Sequence, residues 1–187
     1  AVLESGSDAM RANAMAVLSQ TGGNNAATMI AVPALLEPAD SAVGNAARQA
    51  FQQITKELAT PAVAEQLLRL GIKNYLAGTP PFRPDGDGLV EMWSWNADQK
   101  DFTSARLTIP DAGVVRAARL ANDLARLKAG DSAAERQAML LGLEADWILG
   151  EADSTPVDLT NVDPLQLNQT LTEALANNRY GTAIALV

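Results

Sequence analysis

Trp93 and Trp95 stand two residues apart, and Glu91 lies two residues ahead of them. On a strand this spacing puts all three on one face. Paired aromatics on a single face can stack a sugar ring, a proline-rich peptide or a cationic group. Glu91, Trp93 and Trp95 are therefore the candidate partner-binding residues. The same indoles also have a mechanical use, as the apolar face of a hairpin clamped onto helices through Leu89, Phe82 or Phe102. Two strands alone are marginal and need cover, so the clamped arrangement is the expected one. Just upstream, Asp85-Gly86-Asp87-Gly88 has the alternating acids that open a calcium loop. The bidentate acid that such a loop needs falls on Ser94, and the third alternating oxygen is missing. A solvated Asp-Gly turn leading into a strand is the expectation, and no metal site is assigned.

Histidine and cysteine are both absent. Their absence removes the commonest general base, the usual zinc ligands and every Ser-His or Cys-His pair. No phosphate-cradling glycine loop and no G-x-G-x-x-G after a strand is present. No catalytic residue and no cofactor is assigned, and the chain does not read as an enzyme. Lack of cysteine also excludes thiol redox chemistry and fits a reducing or an oxidising compartment equally, so no localisation follows. Trp147, at helical spacing from Met139, Leu140 and Leu143, reads as core. Arg116, Arg119, Arg126 and Lys128 read as the solvated face of an amphipathic helix, and Asp123 among them argues against phosphate binding.

The formal charge of −8 over 187 residues and a sequence pI near 4.5 repel phosphate backbones, so no nucleic-acid role is expected. A basic or neutral protein partner suits such a surface. No apolar run approaches the ~18 residues of a membrane span. With 48% apolar residues, 4% aromatics and a mean hydropathy of −0.01, helices packed through small side chains are favoured over a β-sandwich.

The elements that must position these residues begin with a repeat. With Val43 laid on Met10, an offset of 33, the register holds for about twenty positions. Met10, Ala14, Val17 and Leu18 then match Val43, Ala47, Ala50 and Phe51, each set on one face of a helix. The first helix is predicted from Ser7 or Asp8 to Gln20, ending at Gly22-Gly23, where glycine can take a left-handed C-terminal conformation. A second helix ends near Leu36-Glu37 and either begins about a turn before Pro33 or kinks there. Asp40 or Ser41 caps a third, carrying Val43 to Leu58.

Helix pairs at this period are the mark of an α-solenoid. "AVPALLE" followed by "DSAVGNAARQAFQQI" resembles the HEAT repeat family, in particular the short HEAT-like repeats of bacterial proteins. Asp40, Val43, Ala47 and Ala50 fall on that family's pattern; its usual arginine is present as Arg11 in the first unit and replaced by Gly44 in the second. The resemblance covers residues 1 to 58. It implies a right-handed stack of helices that serves protein-protein interaction and not catalysis.

Downstream, Thr60-Pro61 opens a helix through Val63, Leu67, Leu70 and Tyr75, and "GTPPFRPDGDG" interrupts helix altogether. "LVEMWSWNADQKDFTSARLTI" is predicted to form a β-hairpin with strands near 89 to 95 and 102 to 109. From Pro110-Asp111 a helix carries Val114, Ala118, Ala121, Leu124 and Ala125, and Ser132-Ala-Ala-Glu135 has capping-box spacing for the next. A tether from Gly150 to Val162 and a helix through Leu165, Leu171 and Leu175 follow.

The expected fold class is thus all-α, an α-solenoid of HEAT-like helical pairs with a small β-hairpin insertion near residues 89–109. Residues 1–77 form the repeats, 78–110 the proline/glycine loop plus hairpin, and 111–187 further helical hairpins. Uncapped apolar ends at Ala1 and Val187 suit a fragment of a longer chain. The expected function is a non-catalytic scaffold for protein-protein interaction; the alternative is a carbohydrate- or peptide-binding module using the hairpin tryptophans.

Overall fold

The structure is a computed structural model; it describes residues 3, 6–79, 82–96, 101–150 and 172, and of Asn24, Trp95 and Asn96 the backbone only. Its described residues form six helices and one two-stranded antiparallel sheet, so the chain is mostly helical. Helix α1 spans Asp8–Thr21, α2 Gly23–Leu36, α3 Ala42–Thr55 and α4 Pro61–Leu76. Strands β1 (Val90–Asn96) and β2 (Asp101–Leu107) follow, then α5 (Ile109–Leu127) and α6 (Ser132–Leu149). The tether and helix predicted beyond Gly150 lie outside the described residues.

The helix starts follow capping chemistry. The side-chain oxygens of Ser7, Ser41, Thr60 and Thr108 each accept a hydrogen bond from a first-turn amide, that of Met10, Gly44, Val63 and Asp111 respectively, and each satisfies a donor with no intrahelical partner. At α6 the cap is Asp131 and not Ser132. The Asp131 carboxylate accepts from Ala133 and Ala134 at 3.0 and 3.2 Å, and Glu135 reaches back to the Gly130 amide. An ionised acceptor taking two amides outcompetes a hydroxyl. Those two amides hold the Asp131 carboxyl below its ordinary value, Ala134 contributing most.

The helix ends differ from expectation in three places. Gly22 closes α1 in the right-handed region, and the positive φ belongs to Gly23, at the start of α2. Helix α2 begins well before Pro33 and runs through it, so the short-helix alternative is not met. Helix α3 stops at Lys56, whose left-handed φ of 64° ends the ladder before Leu58, leaving Leu58 exposed.

Helices separated by one in chain order pack directly: α1 lies on α3 and α2 on α4, while α2 also packs on α3. Helix α5 packs on α4 and α6. One apolar cluster joins α2 and α3 through Ile30, Ala34, Val43, Ala47 and Phe51, with Met15 from α1. A second runs from Val32 of α2 through Leu68 and Ile72 of α4 and the hairpin to Leu124 of α5 and Leu141 of α6. Alanines sit at many of the contact points, Ala47, Ala64, Ala117 and Ala121 being fully buried, which lets the helix axes approach closely.

Several predicted faces are turned. In α1, Met10 and Val17 are 56% and 59% exposed, and Met15 is the buried residue. In α4 the buried set is Ala64, Leu68, Ile72 and Tyr75, with Leu70 exposed; in α5 Val115 is buried in place of Val114. Trp147 is 51% exposed because α6 turns Ala134, Ala138, Leu141 and Ala145 toward α5. A close approach marks the seam between α4 and α5: a Cβ at Gly113 would stand 2.6 Å from the Tyr75 carbonyl oxygen, so the start of α5 can lie against the end of α4 only without a side chain.

Candidate functional site

The hairpin is built on the predicted strands, and its register decides what each side chain does. Val90 pairs with Leu107, Met92 with Ala105 and Ser94 with Thr103; Glu91 pairs with Arg106, Trp93 with Ser104 and Trp95 with Phe102. Because side chains alternate, these are two opposite faces. The first face is the buried one: Val90, Met92 and Leu107 join the cluster formed by α4, α5 and α6. The hairpin therefore lies on the helices, as a two-stranded sheet requires. Phe82 adds cover beside it, its ring 5.7 Å from that of Tyr75.

Trp93 is 52% exposed and Phe102 42% exposed, so the expected clamp through Trp93 and Phe102 is not what holds the hairpin down. The aliphatics Val90 and Met92 do that. The reason is electrostatic as well as geometric: turning the Trp93 face inward would bury Glu91 and Arg106 with it, which costs several kcal/mol for charges leaving water. Trp95 occupies the same face by register, and its side chain is outside the described residues.

The edge of this aromatic face is set by charge. Arg106 donates to Asp85 at 2.5 Å and to Asp87 at 2.8 Å, tying the turn before β1 to β2. Asp85 also closes the turn locally by accepting from the Asp87 and Leu89 amides at 2.9 and 3.0 Å. The Arg106 guanidinium, followed by the Leu89 amide, holds the Asp85 carboxyl below the usual range, and Asp87 and Asp85 together push Arg106 higher still. Both acids of the calcium-like stretch are thus engaged by an arginine. Among the described residues no group of three or more metal-ligating side chains is assembled.

A concavity elsewhere was not anticipated. Between α2 and α5 a groove of about 420 Å³ is lined by Arg11, Glu37, Arg116, Arg119, Asp123 and Arg126, with Val32, Pro33, Leu36 and Leu120 as its apolar walls. Three of the arginines read as solvated helix face from the sequence are therefore groove residues. Lys128 is not among them; it pairs with Glu65 of α4 at 3.1 Å. Arg11 crosses from α1 to pair with Glu37 at the end of α2 and to donate to the Leu3 carbonyl. The sequence signal for the groove was the stripe at 116, 119, 123 and 126, all on one side of a helix, but nothing local says which surface faces that stripe.

No helix among the described residues is long and apolar enough to cross a membrane. The chain matches no protein-family model, no curated protein and no solved structure.

Proposed function

We propose that the chain is a non-catalytic helical-repeat scaffold, a HEAT-like α-solenoid segment whose hairpin offers a docking face to a basic or neutral protein partner. The observation that carries the reading is the exposed aromatic face of the hairpin, Trp93 and Phe102 beside Glu91, on a sheet whose other face is fixed to helices. Rigid aromatics lose little conformational entropy on binding and are favoured anchors of protein interfaces. Glu91 and the acids around Arg106 give the rim a negative bias that suits a cationic side chain lying over an indole. The repeat part of the reading is supported by the alternate packing of α1 on α3 and of α2 on α4. Its non-catalytic part rests on the absence of His and Cys and on the engagement of Asp85 and Asp87 by Arg106.

A second reading, a carbohydrate-binding module, draws on the same exposed indole, since a flat apolar ring also stacks a sugar. Tryptophan emission separates the two in a Trp147→Phe background, which leaves only the hairpin indoles as reporters. Neutral and Lys- or Arg-bearing peptides are expected to shift the emission, and Trp93→Ala to remove the shift. Quenching by glycans with no response to any peptide would overturn the scaffold reading in favour of the second.

A further inference from the structure

The groove between α2 and α5 has the opposite character from the rest of the molecule. The chain carries a formal charge of −8, yet four arginines against two carboxylates line this one concavity. Part of that positive charge is internally matched: Arg11 with Glu37, and Arg126 with Asp123 at 3.4 Å. Arg119 is half-buried at the middle of the stripe and has no ion pair among the described residues. A half-buried arginine lining an open groove is a place where an added carboxylate gains through a two-pronged charge-assisted hydrogen bond.

The shape selects among anions. From Arg116 to Arg126 the stripe runs about 15 Å along α5 at ~1.5 Å per residue. That length matches four or five residues of an extended peptide at ~3.3 Å each and is too long for a single phosphate or acetate. Apolar side chains accompany the charges: Leu36 is 49% exposed at the groove's edge, with Pro33 and Val32 beside it. A ligand that satisfies both must alternate acidic and apolar groups. A nucleic acid would satisfy the arginines but brings no aliphatic side chain to the apolar wall of Pro33 and Leu36.

We propose that this groove docks an acidic, apolar peptide segment of a partner protein, with one carboxylate on Arg119 and an aliphatic side chain against Leu36. This site is separate from the hairpin face and does not depend on it.

The test uses the full chain and two fluorescein-labelled ten-residue peptides, one alternating Glu with Leu and one alternating Lys with Leu, read by fluorescence anisotropy. The Glu peptide is expected to bind at least tenfold more tightly than the Lys peptide and to weaken as sodium chloride is raised. Arg119→Glu should weaken it at least tenfold, whereas Trp93→Ala should leave it unchanged, which keeps this site distinct from the hairpin. If Arg119→Glu loses the native circular dichroism spectrum, Arg126→Glu at the exposed end of the stripe replaces it with the same expectation. Equal binding of the two peptides, no effect of the charge reversal, or tighter binding of a single-stranded oligonucleotide than of the Glu peptide would each overturn the proposal. So would self-association of the chain that Arg119→Glu abolishes, since it would assign the groove to a second copy.

Discussion

Helices α1 and α3 are written on one plan, 33 residues apart, and the molecule treats them differently. In α3, Val43, Ala47, Ala50 and Phe51 are all buried; in α1 the matching Met10 and Val17 are more than half exposed. Helix α3 is held on two sides, by α1 and by α2, whereas α1 lies chiefly on α3. A helix buries only the face that a neighbour covers. An apolar stripe is thus a capacity for burial, and packing decides how much of it is used.

The arginine position of the two units makes the same point. Arg11 in α1 reaches the end of α2 through Glu37. The equivalent position in α3 is Gly44, where a Cβ would fall 2.3 Å from the Pro38 carbonyl oxygen. The chain closes over the start of α3 too tightly for any side chain. Arg48, one turn on, takes up the neighbouring carbonyls instead, donating to Ala39 at 2.7 Å. The glycine at position 44, where the first unit has Arg11, therefore has a local steric cause.

The comparison is broken most directly by truncating a buried apolar residue of α3 and an exposed one of α1. Phe51→Ala, at a fully buried position, should cost about 3–5 kcal/mol in urea unfolding, from lost transfer energy plus a cavity. Val17→Ala, at the position before the one matching Phe51, should cost about 0.5 kcal/mol or less. Equal losses would mean that α1 is as enclosed as α3. Next in size is Gly44→Ala, which forces the Pro38 carbonyl away and should destabilise by about 1–3 kcal/mol, as overpacking does. A thermal melt unchanged or raised by this variant would remove the steric account of Gly44. The smallest effect sharpens the comparison at the caps. Ser41 holds its amide at 2.9 Å and Ser7 at 3.4 Å, so Ser41→Ala should cost about 1 kcal/mol and Ser7→Ala only a few tenths. Matching losses in the two variants would show the two helix starts to be equivalent after all.

Much of this was legible in the residues. The cap at Thr60, the caps at Ser7 and Ser41 as one of two adjacent candidates each, the breaks at Gly22 and Pro38, and both strands of the hairpin follow from local chemistry. The exposed side of the hairpin was also legible in principle: Glu91 shares a face with Trp93, and a charge on that face points it to water. What misled was the need of a two-stranded sheet for cover, which Val90, Met92 and Leu107 meet from the opposite face. The cap of α6 was misplaced by one residue because Asp131 and Ser132 are both competent, and the carboxylate's second hydrogen bond decides between them.

The order of the helices, most of their caps and the hairpin were determined by the sequence alone, since each depends on residues within a few positions of one another, and the excess of acid follows from composition. Which stripe is covered, why Trp147 lies open while Ala138 and Leu141 are enclosed, and the meeting of Arg11, Pro33 and Arg119 around one groove were decided by the tertiary structure. Burial and concavity belong to pairs of surfaces, and the chain brings those surfaces together from stretches far apart in its length.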